Sequence, residues 1–315
     1  MANYFLIKEK KMERVRQDLY KVEFIVAQGE GNRLLHSYLT GKKHLSAKAL
    51  GRLKNQGSVL VNDLPVPLKS TIREGDRIVL IYPPEAKNPY LAPEELPIKI
   101  IYEDQDILVL DKQAGVCVHP TKHYPRGTLA NGVLFHWERN KDNSTPHIVN
   151  RLDKDTTGLV LLAKSTYGAQ QFFRQQRDGA IKRSYLALVL GEVQDDSGCI
   201  DLPIAREDKP TARRMISKDG KPSITHYRVE ERLPGHTLLA VRLETGRTHQ
   251  IRVHLSHLGY PILGDFIYGG DTALLNRQFL HAFRLAFNHP VNQKEMEFTS
   301  ELPKELADVL TKIKN

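Results

Sequence analysis

The chain has 315 residues, room for one large domain and one small one, and its 46 Lys+Arg against 37 Asp+Glu leave a net charge of +9. A basic balance of this kind suits a polyanionic partner. Two cysteines, Cys117 and Cys199, exclude a disulfide framework and a cysteine metal cluster and fit a reducing, cytoplasmic setting. Met1 to Ile7 is too short an apolar run for a signal sequence, and no run of about 18 apolar residues is present to span a membrane.

In chain order, residues 1 to 30 read as an N-terminal arm. From Arg33 to Asn55 there are six basic residues (Arg33, Lys42, Lys43, Lys48, Arg52 and Lys54) and no acidic one. Leu34, Leu35, Tyr38 and Leu39 have helical spacing. Ser46 is a candidate N-cap for a second helix carrying Lys48, Leu50, Arg52 and Leu53, which Gly57 ends. Ser58 to Asp63 reads as a strand and turn, and Gly75 to Ile81 as a further strand. Two helices, then G-x-V-x-V-N and G-D-x-I, resemble an S4 RNA-binding domain across residues 31 to 82. The resemblance implies that the six basic side chains meet phosphates, which would position RNA without reading its sequence. A basic face that is merely solvated is the alternative. Pro83 to Asp106 holds six acidic residues against two lysines, with five prolines. Residues 83 to 98 are therefore a stiff, acidic linker, and 99 to 315 a second domain.

In that domain, Ile107 to Lys112 and Gly115 to Pro120 look like two strands joined by a turn. A helix follows Thr128 to about Trp137, and another starts at Ser165 with Phe172 and Phe173 on its apolar face. Between them, the charged stretch Asn150-Arg151-Leu152-Asp153-Lys154-Asp155-Thr156-Thr157-Gly158 sits between the apolar runs His147 to Val149 and Leu159 to Ala163. Charged groups at the mouth of buried strands are costly unless paired or used. A loop Asp before Thr-Thr-Gly is otherwise an Asx-turn residue, and Asp155 is read that way. Lys182 to Gly191 and His236 to Glu244 look like strands. Arg206 to Lys221, with six basic residues, is a surface loop or hairpin tip. Thr248 is a candidate N-cap before Ile251, Leu255 and Leu258 at helical spacing. Strands alternating with a few helices indicate an α+β fold, a mixed and largely antiparallel sheet with flanking helices, beside a small N-terminal α/β domain.

Three segments together carry a resemblance. Arg151-Leu152-Asp153, Lys182 to Gly191, and Thr245-Gly246-Arg247-Thr248-His249-Gln250-Ile251-Arg252-x-His254 with Gly264-Asp265-x-x-Tyr268-Gly269 occur in the order found in the RluA/RluD-type pseudouridine synthases. His281-Ala282 and His289-Pro290 extend the match, which covers roughly residues 100 to 295. The family implies isomerisation of uridine to pseudouridine in ribosomal RNA, with transfer RNA as the lesser expectation. It implies no cofactor, which agrees with the missing Walker A, Rossmann and metal-spaced motifs. A cytoplasmic monomer is expected.

By resemblance Asp153 is the catalytic carboxylate, as nucleophile or as the base that helps expel uracil. Arg247 is its ionic partner, and Tyr185 stacks on the target uracil. Arg151 either fills the space left by a flipped nucleotide or makes a structural salt bridge. Asn150 stands where the family often has His, and Ser223 where it often has Ala. Two rival readings are an RNA-binding or ribosome-assembly protein without catalysis and a base-removing glycosidase, since two carboxylates can cleave a glycosidic bond.

Overall fold

A computed structural model of the chain describes residues 19–207 and 213–315. Most of the expected arm and the tip of the basic 206–221 segment lie outside the described residues.

The small unit begins earlier than its basic stretch. Val22, Phe24 and Val26 are buried at period two, and β1 (Lys21–Ile25) pairs antiparallel with β6 (Arg77–Ile81). Residues 21 to 25 are thus the first strand of this unit and not part of an arm. The sheet continues β6, β3 (Ser58–Val61), β4 (Leu64–Pro65), and β2 (Arg33–Leu34) pairs β5 (Thr71–Ile72) beside it. Helices α1 (Leu35–Gly41) and α2 (Ala47–Gln56) place Leu35, Tyr38, Leu39, Leu50 and Leu53 against that sheet. Ser46 caps α2 by accepting the Ala49 N–H at 3.2 Å.

The large unit is built on one sheet in the order β12, β15, β16, β11, β17, β10, β8, β7, with β18 and β9 attached to β17 and β10. Its strands are β7 (Lys99–Glu103), β8 (Ile107–Lys112), β9 (His147–Ile148), β10 (Thr157–Ala163), β11 (Lys182–Leu190), β12 (Ser197–Asp201), β15 (Ile224–Leu233), β16 (His236–Leu243), β17 (Leu280–Asn288) and β18 (Glu295–Thr299). A hairpin of β13 (Ile204–Arg206) and β14 (Arg214–Ile216) projects from it. The β10–β17 pair is parallel and every other pairing is antiparallel. Gly158 sits at that parallel contact with φ +110°, where a Cβ would lie 2.2 Å from the Ala282 carbonyl oxygen. Only glycine fits there. Helices α3 (Leu129–Arg139), α4 (Thr166–Arg177), α5 (Gln250–His257) and α6 (Lys304–Lys314) flank the sheet.

Two local expectations fail for identifiable reasons. Gly115 to Pro120 is irregular: the Cys117 and Val118 carbonyls accept the Leu129 and Ala130 N–H groups at the start of α3, so they are not free for a strand ladder. On α4, Phe172 is buried and Phe173 is 70% exposed, because successive helical residues point about 100° apart.

The two units share a core. Tyr167 of α4 is buried in the small unit's cluster, with its ring 6.3 Å from Phe24 and 6.0 Å from Tyr82. Tyr20 donates to Asp106 at 2.5 Å, and Gln171 donates to the Lys43 carbonyl at 3.1 Å. Residues 83 to 98 contain no helix or strand, but they are fastened down. Glu85 accepts the Thr166 N–H and meets His147, Glu94 accepts the Gly127 N–H, and the Ala92 carbonyl accepts from Asn131. The acidic side chains that suggested a free, self-repelling linker act as anchors.

Candidate active site

A cleft of about 680 Å³ opens between the 149–156 loop, the 245–252 segment and α4. Asp153, Tyr185, Arg151 and Arg247 all line it, together with Arg183, His119 and Arg252.

Backbone contacts hold the Asp153 loop. Buried Asn150 donates to the Leu159 carbonyl at 3.1 Å and accepts the Leu161 N–H at 2.7 Å, standing in for a strand partner as both donor and acceptor along one edge of β10. The Asp153 carbonyl accepts the Thr156 N–H. The Lys154 carbonyl accepts from Lys112 Nζ at 2.8 Å, and the Asp155 carbonyl from Arg277 Nη1 at 3.0 Å. The Asp155 carboxylate makes no hydrogen bond among the described residues, so the expected Asx-turn is absent and cationic side chains shape the loop instead. Lys112 is buried and donates also to the Gln113 and Val116 carbonyls, both at 2.8 Å. Burial pushes its amine down to about 8, against the opposing pull of Asp155, Cys117 and Asp153.

The ionic partner of Asp153 is Arg252, not Arg247. Arg252 Nη1 donates to Asp153 Oδ2 at 3.0 Å. Its Nε and Nη2 donate to Asp265 at 2.6 and 2.8 Å, and its guanidinium lies 5.1 Å from the Tyr268 ring centroid. Asp265 is fully buried and Arg252 only 4% exposed, whereas the Asp153 side chain is 25% exposed. Burial works against the guanidinium charge, but the hydrogen bond to Asp265 and both carboxylates outweigh it and raise its pKa. Arg247 is exposed on the rim and donates from Nε to the Pro222 carbonyl at 3.1 Å. It precedes the left-handed His249 (φ +57°), which caps α5 in place of Thr248 and turns the chain between the two arginines.

His249 stands three residues before Arg252 on the same side of α5. Its Nε2 is 3.9 Å from Asp153 Oδ2, and its Nδ1 is 2.9 Å from the Tyr268 hydroxyl, which accepts the Arg214 N–H. Burial lowers its pKa, only partly countered by Asp153, so it is neutral near pH 7. Tyr185 lies on β11 where the pairing with β17 slips between Ser184 and Tyr185, an irregularity of the kind that re-aims a side chain. It is buried, and burial raises its phenol pKa, with Arg183 opposing and Asp153 adding to the shift.

Of the other basic candidates, Lys42, Lys48 and Lys54 are exposed, Lys42 at 3.6 Å from Glu30. Arg33, Lys43 and Arg52 are half-buried. Lys43 lies over the Phe24 and Tyr38 rings, Arg52 donates to the Pro84 carbonyl, and Arg33 to the Gly29 carbonyl. Sequence reasoning passed over Arg252, Asp265, Tyr268 and Lys112 as site residues. Three of these stood inside the quoted motifs, and an acid and an arginine both destined for burial was the available signal.

A mixed sheet that presents one carboxylate on a buried guanidinium, within a cleft lined by arginines, suits a polyanionic ligand. Comparison with known proteins makes this specific. The sequence profile of the RNA pseudouridylate synthase family matches residues 106–257. The chain is 36% identical over 271 residues to Uncharacterized RNA pseudouridine synthase YjbO of Bacillus subtilis, covering 86% of this chain and 96% of that one. It is 36% identical over 283 residues to Ribosomal large subunit pseudouridine synthase D of Pseudomonas aeruginosa, covering 85% and 88%. Among solved structures, Human RNA Pseudouridylate Synthase Domain Containing 1 superposes with a TM-score of 0.54 at 26% identity, covering 70% of this chain and 87% of that one. The chain belongs to the RNA pseudouridine synthase family.

No helix among the described residues is long and apolar enough to cross a membrane.

Proposed function

We propose that this enzyme isomerises uridine in ribosomal RNA, with Asp153 as its catalytic carboxylate. The single observation that carries the reading is the Asp153–Arg252 pair: one carboxylate oxygen is fixed at 3.0 Å by a buried guanidinium, and the other has no hydrogen-bond partner among the described residues. The reaction breaks the bond from uracil N1 to ribose C1′, turns the base, joins C5 to C1′ and transfers the C5 proton to solvent or N1. It is an internal exchange and balances without an oxidant or a second substrate. Asp153 supplies negative charge beside C1′, and Arg252 holds one oxygen of that carboxylate in place.

Tyr185 supplies a ring face to the uracil. Its raised pKa keeps the phenol neutral at pH 7, which favours stacking over service as a base. A uridine in folded RNA has to leave its stack, and exposed Arg151 at the cleft mouth is placed to occupy the gap. The unit spanning residues 21 to 82 acts in this reading as an S4-like RNA-holding domain, through Lys42, Lys48 and Lys54 in particular. Ribosomal RNA is favoured as substrate by the similarity to synthase D of Pseudomonas aeruginosa.

A glycosidase reading loses its second acid. Asp155 is absent from the cleft lining, and Glu244, the other carboxylate there, is held by His226 at 2.6 Å. The test is Asp153→Asn, which keeps shape and removes charge. Tritium release from RNA containing 5-tritiated uridine should be abolished while RNA affinity and melting temperature stay near wild type. Turnover within about tenfold of wild type, a deficit of about 1.4 kcal/mol, would remove Asp153 from the chemistry. Free uracil among the products would revive the glycosidase. Pseudouridine mapping of total RNA with and without the gene product identifies the RNA.

A further inference from the structure

Helix α4 joins the cleft to the small unit. Its inner face, with Tyr167, Gln171, Phe172 and Gln175, is buried. Phe173, Gln176 and Arg177 line the rim of the catalytic cleft. On the other side, Gln171 is bonded to the Lys43 carbonyl, and the exposed His44 feels the charges of Arg174, Asp178, Arg177 and Lys43. Its imidazole pKa is lowered by desolvation and by the three cations, with Asp178 opposing. Arg174 is half-buried, and its Nε has no hydrogen-bond partner among the described residues. Arg177 is paired with Asp178 at 3.0 Å, but both side chains are exposed, so this contact is weak and exchangeable.

Single exposed apolar residues are ordinary on protein surfaces. Phe173 differs in position: it is 70% exposed at the edge of a cleft that holds Arg151, Arg183 and Arg247, one residue before Arg174 and four before Arg177. A hydrophobic ring among guanidinium groups matches a base beside its own phosphates.

Resting on the reading that the cleft takes a uridine of RNA, we propose that the outer face of α4 carries the RNA strand flanking that uridine, with a neighbouring base stacked on Phe173 and phosphates on Arg174 and Arg177, toward the Lys43–His44 loop. The small unit and the cleft then grip one continuous single strand. The rigid joint at Tyr167 sets the distance between the two grips.

The experiment uses the full chain with Phe173→Ala, Phe173→Trp and the double variant Arg174→Gln/Arg177→Gln. Kd is read with a fluorescein-labelled single-stranded oligouridylate at several salt concentrations, and KM by tritium release from 5-tritiated total RNA. Phe173→Ala should raise both by roughly 5- to 150-fold, the range for one lost base–aromatic stack. Phe173→Trp should restore them. The double variant should reduce the slope of log K against log salt by roughly 1.4, at about 0.7 per contact. Circular dichroism and melting confirm that the variants are folded. A Phe173→Ala enzyme within about twofold of wild type in Kd and KM, less than the weakest such stack, overturns the proposal. So does a tryptophan variant no better than alanine. If wild-type enzyme forms no pseudouridine in any RNA, the reaction reading fails instead, and the binding titrations still decide the surface.

Discussion

Arg252→Met and Arg247→Met, compared side by side, separate two accounts of how the Asp153 carboxylate is held. Arg252 makes three hydrogen bonds to two carboxylates and is almost wholly buried. Removing it leaves Asp265 buried with no counter-charge and strips Asp153 of its one fixed hydrogen bond. Breaking a buried pair in this way costs about 3–5 kcal/mol. If that loss falls on the transition state it slows turnover by roughly 10²–10⁴-fold. If it falls on folding it lowers Tm by roughly 6–20 °C, at about 2–4 °C per kcal/mol for a domain of this size. Arg247 makes one exposed hydrogen bond to a carbonyl, worth about 0.5–1.5 kcal/mol, so its loss slows turnover about tenfold or less, or lowers Tm by about 1–6 °C. The assay is single-turnover tritium release, with a thermal melt of each variant. Equal losses from the two variants, or an Arg252→Met enzyme within about tenfold of wild type, would refute the assignment.

Two further outcomes follow from the same contacts. Lys112 titrates near 8 in the folded protein and near 10.4 when unfolded, so between those values the unfolded chain binds more protons and stability rises with pH, by about 3 kcal/mol in all. Over the same window the neutral amine has two N–H groups for three carbonyls. Turnover should therefore fall above about pH 8 while denaturant-measured stability does not, and parallel falls would show that Lys112 does not tether the loop. Deleting residues 1 to 82 uncovers Tyr167, at roughly 1.5–3 kcal/mol for a large apolar side chain. The remaining chain should fold with a lowered Tm, recovered in part by Tyr167→Ser. With Lys42, Lys48 and Lys54 removed, its salt slope for RNA should flatten by roughly 2, at about 0.7 per contact; an unchanged slope would show that the small unit holds no RNA.

The strands and helices that local rules govern were readable: Ser46 and Ser165 cap the helices they announce, and β10, β11 and β16 fall on their apolar runs. The cleft-lining positions of Asp153 and Tyr185 were also readable from their motifs. What escaped is set by contacts distant in sequence. Arg252 meets Asp153 99 residues away, and Lys112 reaches Lys154 42 residues away, separations that periodicity cannot register. The 83–98 segment has the composition of a free linker, and only tertiary partners such as Thr166, Gly127 and Asn131 turn it into a strap. Residues 21 to 25 were readable and missed, since Val22 and Phe24 alternate with charge in a run too short to draw attention beside the basic stretch.

Asp265 explains why the ion pair leaves Asp153 usable. A guanidinium and a lone carboxylate tend to close into a bidentate fork that occupies both oxygens. Here the Nε–Nη2 edge of Arg252 is already forked to Asp265, with the guanidinium 5.1 Å from the Tyr268 ring centroid. Three N–H groups remain, two on Nη1 and one on Nη2, and a single one, from Nη1, reaches one oxygen of Asp153. The arrangement buries a second acid at a considerable desolvation cost, offset by the charge and hydrogen bonds of Arg252. Asp153 is held in direction by this single hydrogen bond. Lys112 and Arg277 hold its loop through backbone carbonyls, so neither competes for the carboxylate itself. In the proposed reading, supporting cations that bond to the backbone and one shared side-chain cation leave Asp153 an oxygen for C1′ of the nucleoside.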